Sequence, residues 1–235
     1  MGERWFTDEE LAELSRPTMD RAIEAMDAGD LERARSLCEE MKYEWRFLHD
    51  LMVHGVAGLL TFIQERLGED ALREAQDVDE GFWRRAVEQI DSTDRRAIVL
   101  ALAGTWRAHS GSGTGPAPGA FTITEDEEKV TFAMNPCGSG QRLWRTGAYE
   151  GEGAYSLTRE PHDWTYGREG FPLYCTHCAF MNEALPIRWI GYPVYPSDPP
   201  DDFDRDPCTW YWYKDPGDIP ARHFDRYGAE RSDGE

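Results

Sequence analysis

The sequence predicts an α+β fold: an N-terminal helical half, with one long buried helix, packed with a small C-terminal antiparallel β-sheet that carries a Cys-rich site. Three observations lead there. Through residue 109, apolar side chains recur at spacings of three and four, the period of helices with one covered face. Residues 110–119 read SGSGTGPAPG, a Gly/Ser/Pro linker. Beyond it, apolar and polar residues alternate with a period of two, and prolines and glycines cut the chain into short pieces. Helices and strands segregated in this way give α+β rather than alternating α/β. The expected organisation is a helical region over 1–109, the linker over 110–119, a β-rich region with a Cys/His metal site over 120–228, and a disordered tail over 229–235.

Thr7 followed by Glu10 forms a capping box, so the first helix is expected over about 8–28. Pro17 interrupts it or marks a second start, because proline lacks the N–H a helix interior needs. Asp27-Ala-Gly-Asp30 is a break, and Asp30 suits the cap of a long helix over about 31–67 that ends at Gly68. Leu37, Met41, Trp45, Leu48 and Met52 share one face of it, and from Leu51 onward it is apolar nearly all round, which predicts burial on several sides. Shorter helices are expected over about 69–76, 79–90 and 93–108.

Past the linker, Phe121 to Thr124 and Lys129 to Met134 predict a hairpin turning at Glu125 to Glu128. Further strands are expected over 185–192 and 209–214, with an acidic, proline-rich loop over 196–207.

Charge bounds the partners. The chain has 235 residues, 25 basic and 45 acidic, for a net charge of −20. Binding to phosphate needs clustered Lys and Arg, so neither nucleic acid nor an anionic membrane surface is an expected partner. No run reaches the ~18 apolar residues of a spanning helix; the best, Leu51 to Ile63, carries His54 and Thr61 and reads as a core helix. Met1 to Glu10 is acidic and polar, which gives no secretory signal, and the expected compartment is the cytoplasm. Five cysteines, an odd count, agree with reduced thiols there.

Four of those cysteines lie in the β-rich half: Cys137 in Pro136-Cys-Gly-Ser-Gly140, Cys175 and Cys178 in Tyr174-Cys-Thr-His-Cys178, and Cys208 in Pro207-Cys-Thr-Trp210. A C-x2-C pair lets two thiolates hold one ion from a single turn, and zinc needs one or two further ligands from elsewhere in the chain. The expected metal site is Cys137, Cys175 and Cys178, with Cys208, a histidine or water in the fourth position. Zinc is the expected metal, and an iron–sulfur cluster is the alternative. Two readings compete with it: buried thiols acting as small apolar side chains, and a redox pair.

His162, Asp163 and His177 lie among these cysteines and are candidates for moving protons, with Asp163 orienting a ring nitrogen. On the long helix, Asp50 and His54 share a face with Arg46 one turn earlier. They form either a core network or, through His54, part of a pocket. Glu40 and Glu44 have the spacing of bundle metal ligands but lack a second matching helix. Aromatic residues gather in the β-rich half, and Trp164, Tyr174, Trp210 and Trp212 are candidates to line a small-molecule pocket.

With these residues in view, the stretch Leu59 to Ala75 (LLTFIQERLGEDALREA) resembles the helical region of the L-2-amino-thiazoline-4-carboxylic acid hydrolase family. The later order is similar too: a hairpin leading to Cys137, a second cysteine motif at Cys175, and a strand with Pro207-Cys-Thr-Trp-Tyr-Trp212. The sequence departs from the pattern at Cys178, in the segment 160–164 and in the long 196–207 loop. The resemblance implies a small hydrolase that opens a C–N or C–S bond in a small heterocycle.

The expected function is therefore a hydrolase or lyase that uses a thiolate-ligated metal on a small molecule. The alternative is a ligand-binding or sensor domain with a closed structural zinc site of four cysteines, and a third reading makes one cysteine a metal-free nucleophile. The long helix offers a surface to a second copy, so a homodimer is among the expected partners.

Overall fold

The structure, a computed structural model, describes residues 4–77, 81–111 and 121–231. The expected linker lies outside them save for Ser110 and Gly111, as do residues 232–235 of the expected tail and residues 78–80, where the helix expected over 79–90 would begin. The described chain divides into two compact units, Met1–His49 and Asp50–Glu235.

In the first unit, helix α1 (Asp8–Leu14) opens with the expected capping box: Thr7 Oγ1 accepts from Glu10 N at 3.2 Å, and Thr7 N donates to Glu10 Oε2 at 2.8 Å. Pro17 is the N-cap of a separate helix α2 (Thr18–Asp27), so it starts a helix rather than kinking one. Asp30 caps helix α3 (Leu31–Leu67), with Oδ1 accepting from Arg33 N at 3.1 Å. The core here is small, made of Ala22, Ala25, Ala34 and Leu37.

Helix α3 runs across the division between the units. Its buried face in the second unit is Val53, Ala57, Leu60 and Gln64, a spacing of four, three and four. Burial on several sides does not follow, since Leu51, Met52, Leu59 and Phe62 are exposed, as are Trp45 and Leu48. By length and composition alone, α3 is apolar enough to cross a membrane, its most apolar 18-residue window having mean hydropathy 1.2; only 22% of that window is buried.

In the second unit, helices α4 (Glu69–Gln76), α5 (Phe82–Glu88) and α6 (Arg95–Trp106) follow. Strands β1 (Phe121–Glu125) and β2 (Lys129–Met134) form the expected hairpin, and Asp126 Oδ1 tightens its turn by accepting from the backbone of Glu128 and Lys129 at 2.9 and 2.8 Å. Helix α7 (Gly140–Arg145) comes next. A 3-10 turn (Leu173–Cys175), helix α8 (Thr176–Ala179), a π turn (Phe180–Ala184) and helix α9 (Leu185–Ile190) run on without a break. The strand expected over 185–192 is thus a helix. Its apolar run is short enough to serve either period, and Gly191 ends it in the left-handed conformation of a helix C-cap.

A short strand β3 (Ser197–Asp198) lies within the expected proline-rich loop, and β4 (Cys208–Tyr213) is followed by helix α10 (Arg222–Asp225). The sheet is antiparallel in the order β1-β2-β4-β3. Register pairs Val130 with Trp212, Phe132 with Trp210 and Met134 with Cys208, so these six share one face. On it pack Val87 of α5, Ile90, and Ala103 and Trp106 of α6.

Candidate active site: a thiol-lined apolar cavity

Packing aromatic side chains of β4 against α6 leaves a cavity of about 600 Å³, lined mostly by apolar groups. That is the size and chemistry of a small-molecule pocket. Ile98, Leu102 and Trp106 of α6 line it, with Tyr195, Trp210 and Trp212. The Trp106 indole N–H donates to the Tyr195 hydroxyl. Trp210 is 2% exposed, and its indole N–H is directed at Cys208.

All four cysteines of the β-rich half line this cavity. Cys137 precedes α7, and backbone N–H groups of Gln141, Ser139 and Gly140 are directed at its sulfur. Cys175 closes the 3-10 turn, Cys178 sits three residues on in α8, and Cys208 opens β4. Burial pushes every one of these thiols above its ordinary range. Neighbouring sulfurs push further: Cys137 and Cys208 act on Cys175, and all three act on Cys178. The four are near enough to sense one another and are protonated at neutral pH. They do not form the expected ion cage. Among the described residues, no group of three or more His, Cys, Asp or Glu side chains is arranged to hold a metal ion.

His177, half-buried, lines the same cavity. Its Nδ1 faces the carbonyl oxygen of Tyr174, which can only accept, so Nδ1 carries the proton. Nε2 is left with its lone pair, 3.6 Å from Cys178 Sγ. Burial lowers the pKa of His177 against the opposing pull of the Tyr174 carbonyl, so the imidazole is neutral. A second polar chain lies nearby, with Ser139 Oγ 2.7 Å from His109 Nε2 and the Ser139 hydroxyl also bonded to Tyr174.

Tyr174, Trp210 and Trp212 line the cavity, whereas Trp164 does not. Trp164 is buried, stacked on His162 at 4.3 Å and on Phe180 at 5.7 Å between ring centres. His162 and Asp163 also lie off the cavity lining. His162 Nε2 is 2.6 Å from Glu69 Oε2, and Asp163 pairs with Arg73 at 2.8 Å while accepting from Trp164 N at 2.9 Å. These are ties between α4 and the loop before α8, not groups facing a ligand. His54 is exposed, with Nδ1 2.8 Å from the Tyr155 hydroxyl, and is not among the lining residues. Asp50 forms an ion pair with Arg142, whose Nε donates to Gly138 O at 2.7 Å, so this carboxylate steadies the loop that carries Cys137.

Tyr166 and Tyr195 belong to the aromatic cluster of the β-rich half, from which lining residues are expected; sequence reasoning passed over His109, Ser139 and Glu183. Ser139 lies inside the quoted Cys137 motif; the others have no local pattern to mark them. Compared with protein-family models, with curated proteins and with solved structures, the chain matches none.

Proposed function

We propose that this protein is a small-molecule hydrolase in which Cys178 is the nucleophile and His177 its general base, acting on a C–N or C–S bond of a compact, largely apolar substrate. The observation that carries this reading is the Cys178–His177 pair at 3.6 Å on the wall of the cavity. A thiol, a base within reach of it and a third group that fixes the base's tautomer are the parts of an activated nucleophile. Here the third group is the Tyr174 carbonyl.

The chemistry follows from those positions. Cys178 Sγ attacks the carbonyl carbon of an amide or thioester group as its proton passes to His177 Nε2, forming a tetrahedral adduct. The adduct collapses, the carbon–nitrogen or carbon–sulfur bond breaks, and the departing amine or thiol takes the proton. Water then cleaves the thioester, with His177 accepting its proton and returning it to the sulfur. Burial keeps Cys178 protonated at rest, so the base acts during attack rather than by holding a standing thiolate. The resemblance to the thiazoline-carboxylate hydrolases points to the same class of bond.

The test uses 4-nitrophenyl acetate. The expected result is release of 4-nitrophenolate with an acetyl group mapped to Cys178, abolished in Cys178→Ala and slowed about 10²-fold or more in His177→Ala. Acetylation confined to Cys38, or turnover unchanged in Cys178→Ala, overturns the reading.

A second reading, zinc held by Cys137, Cys175, Cys178 and Cys208, is favoured by one observation: the four thiols line one cavity. As they stand, no three of these side chains are arranged around one point, among the described residues, to hold an ion.

A further inference from the structure

At another part of the lining, Tyr166 and Ser197 border the cavity, and behind them Glu183 is fully buried. Glu183 Oε1 accepts from Ser197 N at 3.0 Å and lies 3.0 Å from Ser197 Oγ and 3.3 Å from the Tyr166 hydroxyl. The two hydroxyl oxygens are 2.8 Å apart. Both ends of this arrangement occupy unusual backbone. Glu183 sits on the π turn, and Tyr166, at φ 57°, is the one non-glycine residue with a positive φ among the described residues. Conformations of both kinds concentrate at functional sites.

We propose that Glu183, Ser197 and Tyr166 form a proton relay ending on the cavity, in which Glu183 is a positioning residue that sets whether the Tyr166 hydroxyl accepts from or donates to the polar end of a bound small molecule. It rests on the reading of the cavity as a small-molecule site. The switch follows from counting hydrogens. With Glu183 ionised, Ser197 donates to the carboxylate and Tyr166 donates to Ser197 or to the carboxylate itself, leaving the phenol oxygen's lone pairs for a ligand N–H or O–H. With Glu183 protonated, the carboxyl donates to Ser197 and Ser197 to Tyr166, freeing the phenol O–H to donate to a ligand carbonyl or ring nitrogen.

The surroundings let the change occur near neutrality. Burial pushes Glu183 up to about 7, opposed by Arg226, whose Nη1 is 3.3 Å from Oε2, and by the bonds from Ser197 and Tyr166. The other groups facing the relay hold their charge state there. Arg226 stacks on the Tyr166 ring at 5.0 Å and donates to His223 Nδ1 at 2.7 Å. His223 is kept neutral by burial and by Arg226, down to about 3. Asp198, beside Arg226 and Arg222, stays ionised against the effect of burial. Tyr166, Tyr227, Cys178 and Cys208 are all pushed upward by burial. His177 and His109 line the cavity elsewhere, so a variant must separate their effects from that of Glu183.

Two neutral aromatic probes read the switch. Aniline offers N–H donors, and acetophenone only an acceptor. Affinities for the wild-type chain are measured from pH 5.5 to 8.5. The relay requires the ratio of acetophenone to aniline affinity to fall about tenfold as pH rises, one hydrogen bond's worth of discrimination. In Glu183→Gln the ratio becomes independent of pH, and in Tyr166→Phe the discrimination disappears. A wild-type ratio that stays flat while both probes bind overturns the relay and leaves the cavity reading standing, as does a slope that persists in Glu183→Gln. Failure of both probes to bind overturns the cavity as a small-molecule site, and the relay with it.

Discussion

A side chain on Gly140 would occupy the space already taken by the sulfur of Cys175. Gly140 is the buried first residue of α7, and its φ is not in the left-handed region, so the backbone itself would accept alanine. Helix propensity alone would favour alanine by up to ~1 kcal/mol. Contact decides the sign the other way, because overpacking a filled site costs about 1–3 kcal/mol. Gly140→Ala is expected to lower Tm, and Gly140→Ala combined with Cys175→Ala to recover part of the loss. A double-mutant cycle followed by thermal unfolding reads that coupling. Strict additivity of the two changes would contradict the close approach.

Glu183 makes stability depend on pH in a direction that can be worked out. Its pKa rises on folding to about 7, from an ordinary value near 4.5. A raised carboxyl contributes stability that is fully present below the unfolded pKa and is lost as pH climbs through the folded one. His223, depressed to about 3, works in the opposite sense, losing stability as pH falls below the ordinary histidine range. A single melting curve against pH therefore mixes the two. The difference between Glu183→Gln and wild type isolates the carboxyl. It is expected to shift in the variant's favour by roughly 2–3 kcal/mol between pH 5 and pH 8. Parallel curves for the two proteins would contradict the assignment.

The parts of this fold that were legible in the sequence are those set by local chemistry. Thr7 and Glu10 cap α1, Asp30 caps α3, and Asp126 turns the β1–β2 hairpin, each through bonds between near neighbours. Period two identified β2 and β4, whose shared face brings Cys208, Trp210 and Trp212 together. Periodicity could not tell whether 185–192 was strand or helix, because a short apolar run fits both. Nor could it say that the apolar residues of α3 would stay exposed, since a helical stripe records a face and not what covers it. The four cysteines were found by type and placed on one cavity by the fold. His162 and Asp163 were chosen for their nearness in sequence to those cysteines, but long-range ties to Glu69 and Arg73 turn them elsewhere. Glu183 had no sequence signal and Tyr166 was one aromatic residue among many, because their pairing spans 17 residues and depends on a π turn and a left-handed tyrosine.

The His162–Glu69 tie carries its own expectation. Burial opposes ionisation of Glu69, but the Arg159 N–H, His162 and Gln64 together hold its pKa below the usual range. A depressed carboxyl stabilises above its unfolded pKa, and that contribution is lost as pH falls through the folded value. His162→Ala removes one of those partners and the ring stacked on Trp164. It is expected to cost about 1–3 kcal/mol of stability while leaving acetylation of Cys178 by 4-nitrophenyl acetate intact. A variant that folds as well as wild type but fails to acetylate would move His162 into the chemistry.

Zinc and a buried nucleophile make opposite demands on the same four sulfurs. Zinc binds thiolates, and a closed structural site contributes directly to folding, so removing the ion destabilises the protein. A thiol-lined apolar pocket needs no ion, and its sulfurs stay protonated. Among the described residues no three potential ligands converge. Protein purified without chelator is therefore expected to carry well under one equivalent of zinc, and excess EDTA to leave Tm unchanged. In that state Cys178 is the site of acetylation, and Cys208→Ala, which removes a would-be ligand outside the Cys178–His177 pair, retains it. One equivalent of zinc, lost together with a fall in Tm on chelation and lost again in Cys137→Ala and Cys208→Ala, would show that the sulfurs draw together around an ion. The nucleophile assignment would then fail, because a Cys178 held as a zinc thiolate has no proton to pass to His177.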